Sequence, residues 1–147
     1  MVRGASGCDE LMTDDLTPEE AAQREAVLGA NAAFYDAFER RDFDGVCDAW
    51  EHSSRVVCTH PGWPTLRGWA ALATAWMRLV SNQQRLQFIL TNEVAIVAGD
   101  AAWVSCDENI LDGDGSSTVA ALNVFVRADD GWKMVAHHGS VVHASLA

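Results

Sequence analysis

A histidine stands where a predicted strand breaks, and its position suggests acid–base chemistry. His60 follows the β-branched stretch 55–59 and precedes Pro61 and Gly62. These two residues end a strand because proline lacks an amide hydrogen and glycine opens backbone angles that other residues avoid. An unperturbed histidine has a pKa of about 6.5, so a partly buried one is a neutral base at neutral pH. His60 is therefore the predicted catalytic base; the alternative is a loop histidine that hydrogen-bonds the backbone.

Side chains around His60 have the composition of a small-molecule site. Trp63 and Trp76 lie on either side of the break and could flank a planar ligand, and Cys58 precedes the histidine by two residues. A polar group beside large aromatic residues is a common arrangement in ligand pockets. We expect Cys58, Trp63 and Trp76 to contact a ligand, although buried tryptophan and cysteine side chains also build ordinary hydrophobic cores.

Asn123 is a second candidate, on a later predicted strand. Counting by twos places it on the same strand face as Ala121 and Phe125, and we expect Phe125 to line the same site. A buried amide without hydrogen-bond partners costs about 1–3 kcal/mol. Its partner could be a ligand, a neighbouring strand or a water molecule.

Two pairs of neighbouring polar residues must divide between the faces of a sheet. Asp107 shares its face with Trp103 and Ser105, so Asp107 and Trp103 are predicted to face the site and Glu108 to face away. The alternative for the acidic pair is a solvated edge. His137 and His138 likewise point to opposite faces. Of these two, His138 is predicted to face inward, because it shares a face with Trp132 and Met134.

A metal site is a further possibility that the spacing does not favour. If His60 and His138 met Cys58 or Asp107, imidazole with thiolate or carboxylate could bind a transition metal. No His-x-His or His-x-x-x-His spacing accompanies these residues. We therefore predict neither a metal nor a cofactor.

Three helices are predicted in the first half of the chain. Thr17, Pro18 and Glu20 have the spacing of a capping box, which starts a helix that continues to about Arg40. Asp42 can cap a shorter helix that runs through Trp50. From Trp69, apolar residues recur at helical spacing, which predicts the third helix.

The second half of the chain changes to a period of two, which is typical of strands. Tight turns containing Gly99, Gly113 and Gly131 separate four predicted strands, at 86–97, 101–111, 118–127 and 132–142. Helices followed by an antiparallel meander indicate the α+β class. We expect a curved, cone-shaped sheet wrapped around the three helices, with an internal cavity. Residues 17–147 would form this single domain, and residues 1–16 a disordered tail.

Composition limits the partners. The chain of 147 residues has 21 acidic and 10 basic residues and a net charge of −11, which argues against nucleic acid and anionic membranes as partners. No apolar run approaches the roughly 18 residues that a membrane-spanning helix needs. The four cysteines are widely spaced, and the first residues lack the apolar core of a signal peptide. We expect free thiols and a cytoplasmic protein.

The order of these elements resembles the nuclear transport factor two-like superfamily, which includes ketosteroid isomerases, SnoaL-like polyketide cyclases and the calcium/calmodulin kinase association domain. The resemblance rests on His60-Pro61-Gly62 followed by Gly68, on the segment from Asn123 to Lys133, and on the closing His138-Gly139-Ser140. It implies a cystatin-like α+β roll. Aligned with the isomerases, His60 takes the place of their aspartate base and Asn123 that of their oxyanion-stabilising acid. Tyr35 could correspond to the tyrosine of their first helix.

The resemblance implies three functions between which the residues do not decide. The first is a cofactor-free isomerase or cyclase for a small hydrophobic carbonyl or polyketide-like compound, with His60 as base and Asn123 and Tyr35 holding the oxyanion. The second is a ligand-binding domain without turnover, and the third an assembly domain. We expect a homodimer formed through the exposed face of the sheet.

Overall fold

A computed structural model describes residues 15–113 and 115–143. Most of the predicted tail, residues 1–14, lies outside the described residues. The described part contains three helices and six strands. The helices are α1 (Pro18–Glu39), α2 (Phe43–Ala49) and α3 (Trp69–Ser81). The strands are β1 (Val57–Thr59), β2 (Leu66–Arg67), β3 (Gln87–Ala98), β4 (Ala101–Leu111), β5 (Ser116–Ala128) and β6 (Gly131–Val141).

Side-chain caps fix the starts of the first two helices, as predicted. The Thr17 hydroxyl accepts the backbone N–H of Glu20 at 3.1 Å, and the Glu20 carboxylate accepts the backbone N–H of Thr17 at 2.8 Å. These two hydrogen bonds form the predicted capping box. Asp42 caps α2 by accepting the backbone N–H of Gly45 at 3.0 Å. Helix α3 starts at Trp69 as expected, but without a side-chain cap.

The six strands form one mixed sheet in the order β2-β1-β6-β5-β4-β3. Only β1 and β6 are parallel; the other neighbouring pairs are antiparallel. The predicted α+β class and the curved sheet around three helices are therefore confirmed. The short strand β2 was not predicted, and β1 begins at Val57, two residues after the predicted start.

The helices cover one face of the sheet, which we call the inner face. Helix α1 crosses it and buries Val27, Asn31, Phe34 and Tyr35 against the strands. The i, i+4, i+7 and i+8 spacing of these residues forms one helical stripe. Inner-face residues of β4 and β5, such as Val104 and Phe125, are fully buried. The opposite, outer face has no covering element among the described residues.

A β-bulge in β6 decides which side chains face inward near the end of the chain. Phe125 pairs with Met134 but Val124 pairs with Ala136, so Val135 is an extra residue in β6. An extra residue reverses the alternation beyond it. Met134 is therefore buried before the bulge and His137 after it.

Candidate active site

The inner face and the helices enclose a cavity of about 270 Å³. Most of its wall is apolar or aromatic, and its polar members are Tyr35, His60, Glu108, Ser117 and His137. Its aromatic members are Phe34, Phe38, Trp63 and Phe88. A few polar groups inside a mostly apolar enclosure are a composition that small-molecule sites commonly have.

Among the described residues that line this cavity, Glu108 has the only carboxylate. It extends from β4 on the same face as Val104 and Cys106 and is 4% exposed. Burial raises the pKa of its carboxyl to about 7, although the Tyr35 hydrogen bond lowers it. A carboxyl with this pKa is present in both protonation states at neutral pH and can give or take a proton.

A buried hydrogen-bond network holds Glu108 and its neighbours in place. The Tyr35 hydroxyl donates a short hydrogen bond to Glu108 Oε2. It accepts one from Asn123 Nδ2 at 3.0 Å. Asn123 Nδ2 also donates to Asn31 Oδ1 at 2.8 Å, so both amide hydrogens of Asn123 are used within the protein. Burial and the charge of Glu108 raise the pKa of Tyr35, so its hydroxyl keeps its proton.

The same network fixes the tautomer of His137. Asn123 Oδ1 lies 2.5 Å from His137 Nδ1. Because the amide oxygen can only accept, Nδ1 carries the hydrogen and Nε2 is left with a lone pair. This Nε2 lies 4.0 Å from Glu108 Oε2. Burial lowers the pKa of His137 to about 3, with smaller contributions from His60 and His138, so the ring is neutral.

Small residues make room for the contact between His137 and Glu108. Asn123 and His137 are directly opposite each other in the sheet, and the next inner-face row contains Cys106, Ala121 and Gly139. A Cβ on Gly139 would come within 2.9 Å of a Val119 methyl group, so a larger residue would be crowded there. Because the residues of this row are small, the side chains of His137 and Glu108 can approach each other across it.

His60 reaches the cavity from the end of β1, as predicted. It is 6% exposed, and its ring packs in T-shaped geometry with Trp63 and Trp76, with centroid distances of 5.0 and 4.9 Å. The Cys58 sulfur lies 3.6 Å from its Nε2. Burial lowers the pKa of His60 to about 4, so it is a neutral imidazole with one N–H.

The predicted site residues divide into three groups. Tyr35, His60 and Trp63 line the cavity. Asn123 adjoins it through the network, Cys58 is fully buried behind His60, and Trp76 and Phe125 are fully buried in the core. The remaining three, Trp103, Asp107 and His138, lie on the outer face.

The predicted orientations of Asp107, Trp103 and His138 are therefore wrong. Asp107 shares a face with Trp103 as expected, but that face is the outer one, where Trp103 is 38% exposed and Asn92 donates a 2.7 Å hydrogen bond to Asp107. His138 is exposed because the bulge in β6 turns it outward. Consequently His138 does not meet His60. Within the described residues, no three His, Cys, Asp or Glu side chains form a group that could hold a metal ion.

Glu108, His137 and Asn31 are the site residues that the sequence reasoning missed. A signal for Glu108 exists, because it follows Ala102, Val104 and Cys106 at a spacing of two, and small apolar residues mark a face packed beneath helices. Asn31 lies one helical turn from Val27 and from Tyr35 in the buried stripe of α1. The inward turn of His137 depends on a bulge that has no sequence signal here.

Two further observations concern the state of the cysteines and the presence of membrane-spanning helices. Cys47, Cys58 and Cys106 are free thiols, whereas Cys8 lies outside the described residues. None of the helices in the described part of the chain has the length and apolar character needed to span a bilayer.

Comparison with known proteins gives both a family and similar folds. Residues 27–144 match the model of the SnoaL-like domain family. The structure is similar to an NTF2-like protein from Streptomyces avermitilis that is provisionally described as a dehydratase. The two share 36% sequence identity with a TM-score of 0.80, over 85% of this chain and 99% of that chain.

A second solved structure is a protein from Thiobacillus denitrificans, provisionally described as a calcium/calmodulin-dependent protein kinase type II association domain. It shares 35% identity with a TM-score of 0.68, over 78% of this chain and 93% of that chain. The F-box protein SKIP8 of Arabidopsis thaliana is 26% identical over an alignment of 137 residues that covers 90% of this chain. The chain spans 58% of the length of that curated relative.

Proposed function

The chain belongs to the SnoaL-like family, and from this membership we propose that it is a cofactor-free acid–base enzyme acting on a small hydrophobic carbonyl compound. The observation that carries the proposal is Glu108, a carboxyl with a pKa of about 7 at the wall of an aromatic cavity. The 36% identical protein described as a dehydratase supports the same class, because dehydration of a β-hydroxycarbonyl compound begins with proton removal.

Glu108 is the proposed base because, of Glu108, His60 and His137 in the cavity lining, it has the highest pKa, whereas the Tyr35 hydroxyl keeps its proton. The pKa of Glu108 is about 7, against about 4 for His60 and about 3 for His137. We assign the base to Glu108 in place of His60, the base expected from the sequence. Neutral His60 has one N–H, and within the described residues its ring makes only a weak hydrogen-bond contact, with the Cys58 sulfur. It is therefore suited to donate to the carbonyl oxygen of the substrate.

The proposed reaction balances without a cofactor. The carboxylate of Glu108 removes a proton from the carbon next to the carbonyl group, and the electron pair of the broken C–H bond forms an enolate. The His60 N–H stabilises the enolate oxygen. In an isomerisation Glu108 returns the proton to another carbon. In a dehydration the enolate expels the β-hydroxyl, which takes the proton from Glu108 and leaves as water.

Asn123 and Tyr35 act as positioning residues in this proposal. Their hydrogens are committed to Asn31, Tyr35 and Glu108, so these groups hold Glu108 and His137 and do not contact the enolate. The Tyr35 hydrogen bond favours the carboxylate form of Glu108 and keeps its pKa from rising further.

The test uses two probes that both yield a conjugated enone absorbing in the ultraviolet. One is a β,γ-unsaturated cyclic ketone, for isomerisation, and the other is a β-hydroxyketone, for dehydration. We expect the parent protein to accelerate at least one reaction, with a rate that rises through about pH 7. Glu108→Gln should lower the rate by about 100-fold or more, because it removes the general base.

The neighbouring residue supplies a matched control. Asp107→Asn makes the same kind of change one residue away on the outer face and should leave the rate within about twofold of the parent, as surface changes do. A Glu108→Gln protein that keeps the parent rate would exclude Glu108 as the base.

A second candidate function is binding of a small molecule without turnover. The network favours it, because Asn123 and Tyr35 direct their hydrogens at protein groups and none at the cavity. Native mass spectrometry distinguishes the two functions. A tightly bound molecule that co-purifies unchanged, from a protein inactive on both probes, supports binding alone.

We also propose that the protein is a homodimer paired through the outer face of the sheet. This face exposes Ile89, Trp103 and Leu122 at 48%, 38% and 45%. The 35% identical protein described as an association domain supports a role of this fold in assembly. Exposed apolar patches on a sheet commonly mark interfaces. We propose a cytoplasmic location, which agrees with the free thiols.

A further inference from the structure

A groove lined by arginine residues adjoins the aromatic cavity. Arg40, Arg41 and Arg85 line a space of about 610 Å³ between the end of α1, the segment that leads into β3, and the turn after β4. Leu86 lines both this groove and the cavity, so the two spaces meet at that side chain. A ligand that passes Leu86 would extend from the cavity into the groove.

The concentration of positive charge is unusual for this chain. The protein has only 10 basic residues and a net charge of −11, yet three arginines line this single groove. Among the described residues that line the groove, Glu39 has the one carboxylate, which accepts the backbone N–H of Phe88 at 3.2 Å. The described residues that line the groove therefore have a net positive charge, on a chain whose net charge is negative.

The three arginines differ in the hydrogen bonds and ion pairs that their side chains already make within the protein. Arg85 has no side-chain partner among the described residues. Arg40 pairs with Asp36 at 3.0 Å, but both side chains are 64% exposed, and exposed ion pairs of this kind are weak. Arg41 donates to the backbone oxygen of Asn82 at 3.2 Å, which ties α1 to the end of α3. Arg40 and Arg85 are thus the two guanidinium groups available to a ligand.

The cavity and the groove favour different ligand groups, neutral apolar groups in the cavity and anionic groups in the groove. The part of the cavity lining that the structure describes contains one carboxyl group, that of Glu108, and no lysine or arginine, so an anionic group would be disfavoured there. A planar guanidinium matches the two oxygens of a carboxylate or phosphate. We propose that the ligand is amphipathic, with a neutral apolar part in the cavity and a carboxylate or phosphate group held by Arg40 and Arg85. This rests on the proposed use of the cavity as a ligand site, and it does not require turnover.

The test compares probes that differ only in their head group. Binding of octanoate, octyl phosphate and octanol is measured by isothermal titration calorimetry at low and high salt. We expect both anions to bind about tenfold more tightly than octanol, and that advantage to shrink as salt screens the charges. Whichever anion binds more tightly identifies the preferred head group.

Variants test the assignment to these two arginines. Arg85→Gln should weaken anion binding by about fivefold, and Arg40→Gln/Arg85→Gln should abolish the advantage over octanol while leaving octanol affinity unchanged. Arg67→Gln, an exposed arginine on β2, is the control for loss of one positive charge and should bind like the parent. Circular dichroism confirms that each variant is folded.

The possible outcomes separate this inference from the proposed reaction. Anion binding that equals octanol binding, or that survives in the double variant, would show that these arginines only interact with solvent and would overturn the inference. Arginine-dependent anion binding by a protein inactive on both enone-forming probes supports the inference and counts against the reaction alone.

Discussion

The inner and outer faces of the sheet contain residues of similar chemical type in different environments. Glu108 and Asp107 are adjacent in β4, and His137 and His138 are adjacent in β6. Glu108 and His137 are about 5% exposed and belong to one network, whereas His138 is exposed and Asp107 accepts a hydrogen bond from exposed Asn92. Burial, and not residue type, gives Glu108 its pKa of about 7. One sheet therefore has a buried polar network on its inner face and exposed side chains on its outer face, at neighbouring positions along the same strands.

Breaking the inner network should have the largest effect on stability. Asn123→Leu leaves Asn31 Oδ1 and the His137 Nδ1–H without partners in a buried site. We expect the free energy of unfolding to fall by about 4 kcal/mol, since each buried unsatisfied group costs about 1–3 kcal/mol. Urea denaturation measures the change.

Leu122→Ala is the control for this variant, because Leu122 is the preceding residue on the outer face and is 45% exposed. It should change stability by no more than about 0.5 kcal/mol in the monomer. Equal losses in the two variants would contradict the distinction between the faces.

The pH dependence of stability sharpens the comparison at Glu108. The folded state holds the Glu108 proton more tightly than the unfolded chain does, because burial raises the pKa from 4.5 to about 7. The stabilisation from this proton is fully present below the unfolded pKa and is lost as the pH rises through about 7. His60 and His137 act in the opposite direction: their pKa values are lowered, so their contribution is lost as the pH falls below about 6.5.

Glu108→Gln isolates the carboxyl from the two histidines. Relative to the parent, this variant should gain about 2.5 kcal/mol of stability between about pH 5 and about pH 8. Urea denaturation at both pH values measures the difference. A constant gap between variant and parent would mean that Glu108 titrates alike in the folded and unfolded states.

A charge placed on the outer face should weaken dimerisation, with a smaller free-energy change than the changes in stability expected at the inner face. Leu122→Lys places a charge in the proposed dimer interface and should weaken dimerisation by about 2 kcal/mol, or roughly thirtyfold in Kd. Sedimentation velocity across a concentration series measures this. Met77→Lys is the control, because Met77 lies on α3, outside the proposed interface, and is as exposed as Leu122. This variant should leave the dimer unchanged. If the parent protein sediments as a monomer, the proposed interface is excluded.

Local sequence signals predicted most of the fold. The Thr17 capping box and the Asp42 cap fixed helix starts because their hydrogen bonds connect residues three apart, and period-two patterns located the four long strands. The two-residue strand β2 escaped prediction because Leu66 and Arg67 are too short a segment to show a period. It forms only because it pairs with β1.

The candidate site was predicted less completely because it depends on contacts between distant parts of the chain. His60, Tyr35 and Trp63 were expected, and they line the cavity. Asn123 was expected to need a partner from a ligand, a neighbouring strand or a water molecule, and its partners are Asn31, Tyr35 and His137, which lie 92, 88 and 14 residues away. Alternation showed that Asp107 and Glu108 face opposite ways without showing which face the helices cover.

The sequence by itself determined the helix caps, the strand period, the acidic charge and the α+β class, since each arises from residues close together in the chain. Only the tertiary structure decided that Glu108 and His137 share a buried site. Helix packing chose the inner face, and the extra residue Val135 reversed the alternation before His137. Desolvation in the resulting cavity then set the pKa of Glu108, and no local pattern carries that information.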